Sequence, residues 1–113
     1  MTPFIILVTN HTKPGRDGDY LALIHDVLDA MRQEKTFVNT VLHRDVEDPT
    51  LFMLYETWLD KEDFFAVQMK RPYRQLYEAT LPDILRRPRE MRLFEPLRGD
   101  FVFQNSLAQT LAK

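Results

Sequence analysis

Phe4-Ile5-Ile6-Leu7-Val8-Thr9-Asn10-His11-Thr12 opens with five consecutive apolar residues and closes on Lys13-Pro14-Gly15, a turn signal, so it reads as a first strand from Phe4 to Thr12. A strand with one face in water alternates apolar with polar residues, and Phe4 to Val8 does not alternate. Such a strand is expected to be covered on both faces. The rest of the chain must supply the two covers.

Downstream of the turn, Tyr20, Leu23, Ile24, Val27, Leu28 and Met31 recur at spacings of three and four with Asp26, Asp29, Arg32 and Gln33 between them. This predicts an amphipathic helix over about Asp17 to Gln33, with Asp17 or Asp19 as N-cap. Thr36 to His43 is strand-like, Asp45 to Thr50 a turn, and Leu51 to Leu59 a third strand. Asp60 can cap a short helix carrying Phe64, Phe65 and Val67, with Asp63 completing a capping box. Pro72 suits the first turn of a second main helix with the stripe Tyr73, Leu76, Tyr77, Leu81, Ile84 and Leu85, which Pro82 should kink or end early. Met91 to Leu97 is the fourth strand, and Pro96 places its end at an edge or a bend.

The order is βαββαβ, the α+β, ferredoxin-like arrangement in which two helices cover one face of a four-stranded sheet. The second face, apolar in strand one, calls for another cover, and a second copy packed sheet to sheet is the simplest, so a homodimer is expected. Residues 1–98 form one domain. Residues 99–113, with Phe101, Val102, Phe103, Leu107 and Leu111, are a C-terminal tail that either straps across the dimer partner or frays.

At 113 residues the chain suits a single domain. Its net charge of -2 offers no basic footprint for nucleic acid. The absence of cysteine excludes disulfides, thiolate nucleophiles and cysteine-held metal clusters. The run Phe4 to Val8 is too short to span a bilayer and has no basic region before it, so neither a membrane segment nor a signal peptide is read there and a cytoplasmic location is expected. His11, His25 and His43 have no metal-ligand spacing, and with three glycines and no GxGxxG or GxxxxGK[ST] motif there is little to cradle a phosphate. No metal and no nucleotide cofactor is expected.

Strand alternation puts Phe52, Leu54, Glu56 and Trp58 on one face of strand three. A carboxylate among apolar neighbours is a candidate proton acceptor, since burial raises its pKa, unless a partner such as Arg44 holds it charged as a structural group. Trp58 either walls a pocket for a planar substrate or fills the core. Asn39 and His43 share a face with Phe37 and Val41 under strict alternation. If that face looks into the space under the helices, Asn39 can donate to a substrate oxygen and His43 can move a proton; otherwise both belong to an interface. Arg71, Arg74, Arg86, Arg87, Arg89 and Arg92 form a basic stretch, read either as a solvated face pairing with Glu62, Asp63, Glu78 and Asp83 or as a clamp for a ligand anion.

The segment Phe52-Met53-Leu54-Tyr55-Glu56-Thr57-Trp58-Leu59-Asp60-Lys61-Glu62-Asp63-Phe64 resembles the signature of antibiotic biosynthesis monooxygenase domains. Lys13-Pro14-Gly15, Lys70-Arg71-Pro72-Tyr73 and the closing Met91 to Leu97 extend the likeness, the last toward the quinol monooxygenase and phospho-autoinducer isomerase branch. The resemblance implies a dimeric α/β barrel and a cofactor-independent oxygenase of a small phenol, quinol or polyketide, with O₂ as co-substrate. Its implied site is Glu56 as base, His43 as replacement base, and Asn39, Trp58, Phe65, Gln68 and Tyr73 around the substrate. Gln68 stands where many relatives have a histidine, and glutamine is neither a base near neutral pH nor a good iron ligand, so haem-degrading relatives are a poor guide. An isomerase of a small phosphorylated or carbonyl compound, which would need two arginines in the pocket, and a non-catalytic small-molecule-binding dimer stay open.

Overall fold

Burial in the structure follows strand alternation residue by residue. In the computed structural model, which describes residues 1–102, the elements are β1 (Phe4–His11), α1 (Asp17–Met31), β2 (Phe37–Arg44), β3 (Leu51–Trp58), α2 (Lys61–Ala66), α3 (Gln75–Ile84) and β4 (Glu90–Phe94). All strands pair antiparallel in one sheet of order β2-β3-β1-β4, which with helices against one face is the ferredoxin-like α+β fold. Phe4, Ile6, Val8 and Asn10 of β1, with Phe52, Leu54, Glu56 and Trp58 of β3, point into the helix side and are buried. Their neighbours Ile5, Leu7, Leu51, Met53 and Tyr55 lie half-buried on the opposite face. The unbroken apolar run of β1 thus serves two faces, one closed by this chain's own helices.

Strand β2 departs from strict alternation. Phe37 stands opposite Trp58 and Asn39 opposite Thr57, which leaves Val38 as an extra residue, 47% exposed. The bulge reverses the sides of everything after it. Phe37 packs on the core under the helices and Leu42 joins it there, whereas Asn39, Val41 and His43 align with Thr57, Tyr55 and Met53 on the open face. The expectation that Asn39 and His43 share a face with Phe37 is corrected by this one residue.

Tyr20, Ile24, Val27 and Met31 form the buried stripe of α1. Asp17 and Asp19 sit inside its first turn rather than capping it, where their charge meets the positive end of the helix dipole. Asp60 caps α2 as expected, its Oδ1 accepting from the Glu62 and Asp63 amides at 3.1 and 3.2 Å. Asp60→Ala is expected to lower the unfolding free energy by about 1 kcal/mol, read as a shifted urea midpoint at constant slope.

The second main helix is broken at its start. Arg71, the residue before Pro72, is held extended (φ -60°, ψ 139°), as the proline ring requires, so the chain makes one 3₁₀ turn at Gln68–Lys70 and another at Pro72–Arg74 before α3 begins. Helix α3 runs through Pro82 and stops two residues later at Ile84. Its buried positions are Tyr77, Leu81 and Ile84, while Leu76, expected in the stripe, is 68% exposed.

Strand β4 is shorter than expected, ending at Phe94 ahead of Pro96, and as an edge strand it pairs with β1 alone while all five of its residues remain exposed. The tail residues Phe103, Leu107 and Leu111 lie outside the described residues. Among the described residues no helix is long and apolar enough to cross a membrane.

Candidate active site beneath the helices

Glu56 is the carboxylate on an otherwise apolar stretch of sheet. It lies on the inner face of β3, 5% exposed, opposite Ile6 of β1 and Thr40 of β2. Trp58, two residues on and therefore on the same face, donates its indole N–H to Glu56 Oε1 at 3.0 Å. The indole is fully buried between Phe37 and Phe64, with ring centroids at 5.3 and 5.1 Å, so its donor is held in place by packing. Among the described residues no arginine or lysine forms an ion pair with Glu56. Arg44, a candidate structural partner, instead lies 3.9 Å from Asp17 and over the Phe52 ring. Burial pushes the Glu56 carboxyl above the ordinary carboxylate range, against the smaller opposing effects of the Trp58 bond and the charges of Arg74 and Arg89.

Glu56, Arg74, Tyr77, Arg89 and Met91 line a cavity of about 20 Å³ between helices and sheet, room for about one water. Trp58 does not reach it. Arg74 is 6% exposed, its Nη1 donating to Met69 Sδ at 3.8 Å and its guanidinium lying 5.5 Å from the Phe64 ring centre. Its Nε and Nη2 have no hydrogen-bond partner among the described residues. A buried, charged donor left unpaired costs more than the ~1–3 kcal/mol of a neutral one, and such groups in folded proteins commonly mark a place where a ligand or water binds.

Sequence reasoning left Arg74 in a basic stretch read either as a solvated face or as an anion clamp and did not single it out. The signal was present in the spacing, because Arg74, Tyr77, Leu81 and Ile84 follow one another at three, four and three. Arg74 is the first member of the buried stripe. Asn10 was also missed; it donates to Tyr20 Oη at 2.8 Å and ties β1 to α1.

The other expected site residues lie apart from this cavity. His43 is exposed on the opposite face, with Nδ1 3.2 Å from the Met53 carbonyl, and Asn39 is half-buried on that face. Phe65 is 41% exposed and packs on Phe4 at 5.9 Å. Gln68 is buried, its Nε2 donating to Asp63 Oδ2 at 3.0 Å, and it lines a separate groove with Thr36 and Arg71. Tyr73 packs against the core beside Arg74, 5.8 Å from ring centre to guanidinium. Of the basic stretch, Arg71 pairs with Glu34 at 3.0 Å, Arg86 with Asp48 at 3.5 Å and Arg89 with Glu78 at 2.9 Å. Among the described residues no three His, Cys, Asp or Glu side chains converge as metal ligands.

Comparison with known proteins adds a family. The family profile described as antibiotic biosynthesis monooxygenase matches residues 3–79. Over 88 residues, 77% of this chain and 73% of the relative, the sequence is 28% identical to a Pestalotiopsis microspora protein named "Putative monooxygenase GME11364". Among solved structures, Rv0793 from Mycobacterium tuberculosis superposes with a TM-score of 0.79 at 17% identity, covering 87% of this chain and 98% of that one. SnoaB, a cofactor-independent oxygenase from Streptomyces nogalater, superposes with a TM-score of 0.75 at 13% identity, covering 88% and 97%. At such identities the structural likeness speaks for the fold.

Proposed function

Because this chain belongs to the antibiotic biosynthesis monooxygenase family, we propose that it oxygenates a small phenol, quinol or polyketide-like molecule without a bound cofactor, Glu56 taking the proton that starts the reaction. The observation that carries this reading is the placement of Glu56: buried, held by one indole N–H, without an ion pair among the described residues, and raised in pKa by burial, which favours its taking a proton. Removal of a proton makes the substrate an electron-rich anion that passes an electron to O₂. The protein then has to provide a base, donors for the developing oxyanion and a dry enclosure. The unpaired Nε and Nη2 of Arg74 are the donors within the same cavity. His43 and Asn39 take no part in this scheme, since the Val38 bulge turns them to the other face.

The test is an oxygen electrode. A hydroquinone or polyhydroxyanthrone added to chelator-treated protein is expected to consume oxygen with no flavin or metal supplied. Failure of a panel of such compounds to draw oxygen above the uncatalysed rate would sink the reading. Arg74 and Arg89 beside one carboxylate favour a second reading, proton-shuttling isomerisation of a small phosphorylated or carbonyl compound. That reaction would consume substrate with no oxygen uptake.

The open sheet face, with Ile5, Leu7, Val41, Leu51, Met53 and Tyr55 half-buried on it, supports assembly as a homodimer, sheet to sheet. Sedimentation at micromolar concentration is expected to give twice the mass of the chain, and a stable monomer there would contradict the assembly.

A further inference from the structure

The cavity beside Glu56 is too small for any organic substrate, but a larger space adjoins it. Between α3 and the inner side of β4 lies a cleft of about 510 Å³, a volume within the usual range for a small-molecule site. Leu81, Leu85 and Met91 give it an apolar floor, and Arg86, Arg87 and Arg89 stand around it. Arg89 and Met91 are walls of both spaces, so these two side chains separate the cleft from the cavity that holds Glu56.

The charge around the cleft is uneven. Arg86 and Arg89 each have a carboxylate partner, Asp48 and Glu78. Arg87 has none among the described residues; its Nη2 donates to Nδ1 of His11 at 2.9 Å. Guanidinium can only donate, so His11 accepts with Nδ1 and carries its proton on Nε2, 3.7 Å from Glu90. Burial and the neighbouring Arg87 hold the His11 pKa below its usual value, in keeping with a neutral ring there. Arg87, a wall of the apolar cleft, thus carries a positive charge that no carboxylate pairs among the described residues, with its Nη2 turned to the buried His11.

We propose that this cleft is the entrance chamber of the Glu56 site and takes an aromatic carboxylic acid, its carboxylate on Arg87 and its ring over Leu81 and Leu85, with Arg89 and Met91 as the movable partition. The proposal rests on the reading of Glu56 as the reacting base and narrows its substrates to anionic aromatics. Met91 is 37% exposed on an edge strand and has a flexible, unbranched side chain, so it can swing aside without disturbing the ladder. The Arg89–Glu78 pair, at 2.9 Å, is the polar half of the same partition.

The full chain with labelled methyl groups, titrated with 2-naphthoate and with neutral 2-naphthalenemethanol, tests both parts. Naphthoate is expected to bind about ten times more tightly than the alcohol, to lose that advantage in Arg87→Gln, and to shift the methyl signals of Leu81, Leu85 and the inner residue Leu54. Equal affinity for the two probes, or naphthoate binding untouched by Arg87→Gln, would overturn the anion anchor. Shifts at Leu81 and Leu85 with Leu54 unmoved, in the wild type and in Met91→Ala alike, would overturn the passage inward. Neither readout depends on turnover, so a failure to consume oxygen would count against the proposed reaction and leave this result standing.

Discussion

Glu56→Gln is expected to cut oxygen consumption by about 10²- to 10⁴-fold, the usual worth of a positioned general base, while making the folded chain more stable at neutral pH. Glutamine keeps the size of the side chain, and its carbonyl can still accept the Trp58 N–H, so the loss would report on the base itself. The gain in stability follows from the direction of the Glu56 shift. Its folded-state pKa lies above the unfolded value because burial penalises the charge. Its stabilising contribution is therefore complete below the ordinary carboxylate range, and is lost as pH rises through the folded value. Wild-type unfolding midpoints should accordingly fall across that window, and those of Glu56→Gln should fall less. Parallel midpoints from pH 4 to 8 would show that Glu56 pays no ionisation cost in the fold. On the activity side, kcat/KM should rise with pH through a shoulder above the range of a free glutamate.

Trp58 is expected to give two separable effects. Trp58→Ala removes a fully buried indole from between Phe37 and Phe64, a change worth about 3–5 kcal/mol against the ~5–15 kcal/mol that holds most domains folded. The variant should be largely unfolded or aggregated at 37 °C. Trp58→Phe keeps an aromatic ring at the position and deletes the N–H, leaving Glu56 without its hydrogen bond. Since that bond favours the charged carboxylate, its loss moves the Glu56 pKa further up. The acid limb of the pH profile should then shift to higher pH while the chain stays folded. An unmoved profile in Trp58→Phe would mean that the indole serves packing alone.

How much of this was open to reading before the structure depends on what each residue's position answers to. The shared face of Phe52, Leu54, Glu56 and Trp58 on β3 follows from alternation alone, whereas the uniformly apolar β1 shows that both its faces are covered without showing which residues point inward. Asp60 was legible because capping is a local affair of one side chain and two amides. The face of β2 was not legible, since a bulge is chosen by how the strand meets its neighbour, and nothing in Phe37-Val38-Asn39 announces it. Arg74 was hidden by its chemistry: a guanidinium is expected in solvent, and its place in the 74, 77, 81, 84 series weighs less than that prior. The pairing of Arg87 with His11 joins residues 76 positions apart and depends on the docking of β1 beside the chain that leaves α3. No local pattern encodes it.

The extra residue in β2 has a consequence for how readily such a protein could change its chemistry. A chain shortened by Val38 alone would set Asn39 directly after Phe37 and regain an unbroken ladder, and every residue beyond would keep its partner on β3 and its side, Asn39 and His43 outward and Leu42 inward. Loss of Thr40 or Val41 with the bulge kept would instead roll the residues beyond it over, turning His43 inward at the cost of Leu42 from the core. The groups the interior receives are therefore set by the number of paired residues between Phe37 and His43, and Val38, standing outside that number, can be lost without altering them.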